Sequence, residues 1–554
     1  MVNKKIYLYI FTFFTYLFLF LNHTFAVDIT TNTTISTGTT YDSLVVKNGA
    51  TLTLNDVLTV TGDATIENGG IITHTSASST AFTLIVGGTL TIDVGGKIDT
   101  STKGVNSASC GSQYVGASHG AYGSYNSKAP YGDIYNPITV GSYGYTSSYS
   151  GGGLIRMTVG NLVNSGSILA NGKDTSRGAG AGGSINITVS GNISGSGVYQ
   201  AIGGTSSEGY PGAGGRIAIK YGSVFNLTTL KSKISASGPS IAGEGTIYIK
   251  DLTSGYESLI IKGDGGNYGT FTTVNLNNFD DVVIDGGNFT ASGSYSWNIP
   301  KSFTVKNYGI LTTRSSVPLS ISGSLTLSNN GKLVSNSPLT ISSDLILLNG
   351  MLDNNNNSNI SNLFTFSGGT VNNNSGLYIS SNINFLTGAL YNDGTLSTSQ
   401  NAYIRNYSTV YNNKSFLVSG DLTVLNGGNI SHETTASTAF NLIVGGTLTI
   451  DVGGKIDTST RGANSASCGS QYAGASHGAY GSYNSSAPYD DIYNPISVGA
   501  YGRSSSYYGG GLVRMTVGNL VNSGSILANG KDTSRGAGAG GSINITVSGN
   551  ISGS

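Results

Sequence analysis

Histidine is scarce enough in this chain to be followed one residue at a time, with five in 554 residues. Ser118-His119, with Asp133 downstream, has the residue types of a hydrolytic triad. That chemistry needs the serine oxygen and the carboxylate on opposite nitrogens of one imidazole. Sequence neighbours rarely point at each other in that way, so a loop histidine that makes hydrogen bonds is the plainer reading. His119 and His477 also lack the close His or Cys partners of a zinc site. Gly178-Ala179-Gly180-Ala181-Gly182-Gly183 fits a dinucleotide fingerprint letter by letter, but no helix pattern follows it. Turns such as Asp264-Gly265-Gly266 and Asp285-Gly286-Gly287 offer oxygen ligands to calcium, though too few to define a site, and solvated turns are the simpler expectation. No catalytic residue, metal site or cofactor is therefore expected. The best candidates for ligand contact are aromatic: Tyr114, Tyr122, Tyr125 and Tyr131 around His119, and Tyr472 and Tyr480 around His477. Their faces suit sugar rings and their hydroxyls suit water; packing against the body of the protein is the alternative.

The elements that must carry these residues declare themselves between Leu325 and Ile430. Leu325, Leu345, Phe364, Ile383, Ala402 and Leu422 form a column that advances at a nearly constant interval. Leu327, Leu347, Phe366, Phe385, Ile404 and Val424 form a second, and Leu333, Leu352, Val371, Leu390, Val410 and Ile430 a third. A weaker fourth runs Ile341, Ile360, Ile379, Thr398, Val418. The first two columns are two residues apart, so they share one strand face. Corners such as Asn330-Gly331, Asn349-Gly350 and Gly368-Gly369 tolerate positive φ. Nothing repeats at helical spacing. The pattern predicts an all-β fold: a parallel β-solenoid, or β-helix, of about 19–20 residues per coil, with inserted Gly/Tyr-rich loops.

Residues 1–26 differ from the rest. Lys4 and Lys5 precede a mainly apolar run from Ile6 to Leu21, and Thr24-Phe25-Ala26 is a small-x-small cleavage site, which predicts a signal peptide. No later segment is apolar enough to span a bilayer as a helix. The mature chain is expected to be secreted or at the cell surface. Removing both lysines leaves 25 basic against 27 acidic residues, so there is no basic footprint for nucleic acid.

Residues 27–250 read as solenoid carrying a first Gly/Tyr-rich module at about 62–220, with residues 100–153 as a long loop or small subdomain. Residues 251–430 are the regular ladder, and 431–554 a second, truncated copy of the module. The copies are offset by 358 residues, which carries Cys110 to Cys468, His119 to His477 and Asp133 to Asp491; Gly160–Ser196 and Gly518–Ser554 are identical. The two cysteines could bridge in an oxidising compartment, but separate thiols are the expectation at that distance. Because the first copy continues as Gly197-Val198-Tyr199 where the second stops at Ser554, the chain is expected to be a fragment.

Gly95-Gly96-Lys97-Ile98-Asp99, Ser118–Gly123, Gly151-Gly152-Gly153-Leu154-Ile155-Arg156, Gly166–Gly172, Gly182–Ile187 and Gly214–Ile219 succeed one another in the module. That series resembles the glycine-rich module repeated in very large secreted or cell-surface, adhesin-like proteins, mostly bacterial. The resemblance implies a structural or adhesive role and carries over no catalytic residue. Its partners would be a host or neighbouring-cell surface, a glycan or a matrix. The coil pattern also resembles pectin-lyase-like, polysaccharide-active β-helix enzymes, the alternative function. Those enzymes need several acids stacked on neighbouring coils, and the sequence offers one cluster, Asp280-Asp281 with Asp285.

Overall fold

The apolar columns are columns of strand register. In the computed structural model, which describes residues 25–554 except 127, 225, 264–268, 272–278, 292–296, 300, 316, 317 and 485, Leu325 pairs with Leu345, Leu345 with Phe364, Phe364 with Ile383, Ile383 with Ala402 and Ala402 with Leu422. The second, third and fourth columns pair member by member in the same way. Every one of these pairings is parallel, and the side chains are buried. The cause is local. Leu, Ile, Val and Phe alternate with polar residues along each strand, so one face must be removed from water.

The expected leader lies outside the described residues, apart from Phe25 and Ala26, and so does Asp264-Gly265-Gly266. The described residues are nearly all β, with large, mostly parallel sheets. They contain one short helix, Leu227–Ser232, capped by Asn226, whose side chain accepts from the Thr229 amide. No helix among them is long and apolar enough to cross a membrane. The chain forms two compact units, Met1–Gly269 and Thr270–Ser554.

In the second unit the inward face also carries polar side chains. Asn354, Asn373, Asn392 and Asn412 follow the third apolar column by two residues and are fully buried. Each amide donates to the next carbonyl oxygen at 2.8, 2.7 and 2.7 Å, and a second N–H of the first three reaches the backbone oxygen of Gly376, Thr395 or Ser415. This ladder satisfies buried polar groups that would otherwise cost stability. Beside it Phe364, Phe366 and Phe385 pack with ring centroids 6.1–6.4 Å apart. At one corner Asn349 and Gly368 both take positive φ, 58° and 89°, one above the other.

The first unit departs from the period of that ladder of strands. Leu154 pairs with Ser184, Ser184 with Arg216 and Arg216 with Thr246, a longer step of roughly 30 residues. The added length is the glycine-rich chain. Gly152, Gly182 and Gly214 donate backbone hydrogen bonds to Ala181, Ala213 and Gly243, so these segments stack as a further layer. Glycine is required for this approach: a Cβ on Gly152 would stand 1.9 Å from the Ala170 oxygen, and one on Gly182 2.1 Å from that of Ala201. The described residues of 100–153 form isolated bridges and lie against that layer, with Ala117, Ala121 and Val140 buried. A separate seven-stranded parallel sheet runs from Thr33–Ile35 to Ile234–Ser235. One antiparallel pair, Thr246–Asp251 with Glu257–Lys262, completes the unit.

Candidate functional site

In the first module the glycine-rich layer encloses His119. Its Nδ1 lies 2.7 Å from the Gly182 carbonyl, which can only accept, so Nδ1 carries the proton and Nε2 accepts from Thr139 Oγ1 at 2.9 Å. The Tyr131 ring sits 4.7 Å away, and its hydroxyl donates to Val140 O at 2.7 Å. Buried Arg216 closes the cluster, donating to the Tyr131 carbonyl at 2.8 Å and to Thr246 Oγ1 at 3.1 Å. Ser118 accepts from the Gly123 amide, and Asp133 accepts from the amides of Tyr135 and Asn136. Both nitrogens of His119 are thus engaged by groups other than Ser118 and Asp133, and the geometry of a triad is not formed.

Burial, and after it the charge of Arg216, hold the His119 pKa down to about 3. Between pH 6.5 and about 3 the unfolded chain therefore binds a proton that the folded chain refuses. The stabilisation is complete above pH 6.5 and is lost progressively as the pH falls through that window. Urea unfolding of the first unit should weaken by about 1.4 kcal/mol per pH unit from this group between about pH 6 and 4. His119→Gln should flatten the profile by that slope, which parallel titrations of the two proteins measure.

The second module repeats the arrangement with two substitutions. His477 Nδ1 meets Gly540 O at 2.8 Å and the Tyr489 ring lies 4.6 Å away, but Asp490 and Ser497 stand where the first copy has Gly132 and Thr139.

The predicted tyrosines divide between interior and surface. Tyr131 and Tyr122 are half-buried, whereas Tyr114 and Tyr125 are 56% and 65% exposed. The exposed pair meets Tyr210, which sequence reasoning missed, at centroid distances of 5.5 and 5.9 Å. Tyr472 and Tyr480 are 76% and 64% exposed. Cys110 and Cys468 are free thiols, each half-buried.

The second unit carries a groove that was not anticipated. One position beyond the third apolar column, Asp353, Asn372, Tyr391 and Tyr411 are register partners on the outward face. Two positions further on come Asn355, Asn374, Asp393, Asn413 and Glu433. Asp353, Asn355, Asn372, Asn374, Tyr391, Asp393 and Glu433 line an open cavity of about 470 Å³. Lys332 pairs with Asp353 at 2.5 Å, and the Asn413 amide bridges Asp393 and Glu433 at 2.7 and 2.8 Å. Tyr391 stacks on Tyr411 with centroids 4.8 Å apart and planes 11° from parallel, and the Arg461 guanidinium lies 5.4 Å from the Tyr411 centroid. Burial first, then Tyr411 and Glu433, push the Tyr391 hydroxyl pKa up. Such a surface can hydrogen-bond polyhydroxylated chains. The acidic cluster read from the sequence sits elsewhere and is engaged: Asp280 with Lys301, Asp281 with Ser302, and Asp285 with Lys306 and Asn307. Among the described residues no group of three or more His, Cys, Asp or Glu side chains is placed to hold a metal ion.

Comparison with family models, with curated proteins and with solved structures finds no significant match for the chain.

Proposed function

We propose that the chain is an exported β-solenoid that acts outside the cytoplasm as a structural and adhesive body, presenting its Gly/Tyr-rich modules to a glycan or matrix on a host or neighbouring-cell surface. The observation that carries this reading is the regular parallel register: four inward columns keep a nearly constant step from strand to paired strand. A body built in this way is stiff and repeats the same surface along its length. Duplicated modules then raise avidity without a tight single contact. The resemblance to adhesin-like modules points the same way, and exposed Tyr114 and Tyr125, packed on half-buried Tyr210, supply the aromatic contact.

The full chain, immobilised on beads, should retain cell-wall or extracellular polysaccharides, and Tyr114→Ala/Tyr125→Ala/Tyr210→Ala should weaken retention at least tenfold. Retention unchanged in the triple variant would remove these residues from the binding role. The alternative is a polysaccharide-active enzyme, favoured by one observation: Asp353, Asp393 and Glu433 share a groove with Tyr391, which stacks on Tyr411. The same incubations decide between the two, because new chain ends released from the polysaccharide, and lost in Asp393→Asn, would replace adhesion with catalysis.

A further inference from the structure

The rim of the groove in the second unit is interrupted where the buried ladder beside it is not. Asn354, Asn373, Asn392 and Asn412 pass an N–H from each amide to the next without a gap. The rim row lies one residue further on and donates in the opposite direction. Asn355 donates to Asn336 at 2.9 Å, Asn374 to Asn355 at 2.7 Å, and Asn413 to Asp393 at 2.7 Å. The missing rung is the one from Asp393 to Asn374, which directly follow the register partners Asn392 and Asn373. A carboxylate accepts hydrogen bonds and has no N–H to pass on. Among the described residues nothing donates to Oδ1 of Asn374 or of Asn372. Asp353 is paired with Lys332, but neither Asp393 nor Glu433 has a described cation at ion-pair distance; both are held by the Asn413 amide.

The aromatic pair shows what kind of group fits this gap. The Arg461 guanidinium already lies over the Tyr411 ring, 5.4 Å from its centroid. Tyr411 stacks on Tyr391, and on the other side of Tyr391 the register partner is Asn372, whose side chain is much shorter. Tyr391 therefore borders the cavity of about 470 Å³ together with Asn372, Asn374 and Asp393. One end of the stack holds a cation of the protein's own. The other end offers a ring, a carboxylate and two amide oxygens without donors.

We propose that this groove binds an extended chain of amino sugars through a free ammonium group, which rests against Tyr391 and donates to Asp393 and to the Asn374 amide oxygen. An ammonium brings three donors and a positive charge to acceptors, a negative charge and an aromatic ring. The rest of the lining is amide and carboxylate, which sugar hydroxyls can bond; it offers no apolar pocket for a peptide side chain. The strands beneath are paired on both sides, so no edge is open to an added peptide strand. Paired strands stand about 4.8 Å apart. That is close to the length of one sugar residue, so successive sugars laid along the stack meet successive rows. The site shares no residue with Tyr114, Tyr125 and Tyr210, so it goes beyond the display role and either can fail alone.

The probe is a short glucosamine oligomer, with its fully N-acetylated form as the reference. Titrated into the full chain at a pH where its amines are protonated, the free-amine oligomer should bind at least about tenfold more tightly than the acetylated one. Asp393→Asn supplies the N–H that the rim lacks and removes the charge. It should bring the two oligomers within about threefold of each other while the urea midpoint of the second unit stays the same or rises. Tyr391→Leu should shrink the preference as well, and Tyr114→Ala/Tyr125→Ala/Tyr210→Ala should leave it intact. Equal binding of the two oligomers, binding of neither, or a preference that survives Asp393→Asn would overturn the proposal. So would a preference lost in the Tyr114/Tyr125/Tyr210 variant. Oligolysine of matching charge bound as tightly would overturn the sugar assignment, and calcium that binds alone and is lost in Asp393→Asn would overturn the ammonium assignment.

Discussion

Alanine at Asn373 should cost the second unit about 3–5 kcal/mol, because it breaks a buried polar ladder in its middle. The Asn373 amide donates to Asn392 Oδ1 and to the Thr395 carbonyl, and its own Oδ1 accepts from Asn354. Removing it takes from the Asn392 oxygen its donor from this side of the ladder. It leaves the Asn354 amide with the Gly376 carbonyl alone, inside a region with no water access. An unsatisfied buried group costs about 1–3 kcal/mol, and two such losses accompany the cavity left by the side chain. Asn374→Ala is the control: it removes a surface bond to Asn355 of the same length, 2.7 Å, and should cost under about 0.5 kcal/mol. The urea midpoint of the second unit, followed with amide exchange across residues 345–412, separates the two outcomes. A cost below about 1 kcal/mol at Asn373 would show that the ladder contributes little to holding the paired strands together.

Phe366→Ala should cost about 3–5 kcal/mol by a different route, loss of apolar contact with incomplete collapse of the space. Phe366 is fully buried, partners Leu347 and Phe385 in register, and lies 6.1–6.4 Å from the rings of Phe385 and Phe364. Phe366→Leu keeps most of the volume and should cost about 1.5 kcal/mol or less. Because Phe366 and Phe385 are in contact, their double alanine variant should fall short of the sum of the singles by more than about 0.5 kcal/mol. Thermal unfolding of the four proteins tests the cycle, and additivity would mean that the rings do not pack as described.

The legible part of this fold is its local part. Alternation along a strand and a constant step between strands are both written in the order of residues, so all four columns around Leu345 and Phe364 pair as read. The same logic extended by one, two and three residues would have found the outward set Asp353, Asn372, Tyr391, Tyr411, the buried ladder Asn354, Asn373, Asn392, Asn412, and the rim residues Asp393 and Glu433. Polar residues carry a weaker periodic signal than apolar ones, because either face accepts them at a loop edge. The longer step from Leu154 to Ser184 and Arg216 in the first unit was hidden for another reason. Its extra layer is held by backbone hydrogen bonds between glycine-rich segments, which leave no repeating side chain to count.

The chain on its own determined which apolar side chains stand in line, since inward and outward positions are set residue by residue by the pleat of the strand. It also determined that the module occurs twice. Only the tertiary structure decided where the inserted segments come to rest. It brought Tyr210 to Tyr114 and Tyr125, enclosed His119 under Arg216, and set Asp490 against His477. Those contacts join residues far apart in sequence through backbone-to-backbone packing. Such packing depends on how closely two glycines approach, which no pattern of side-chain types records.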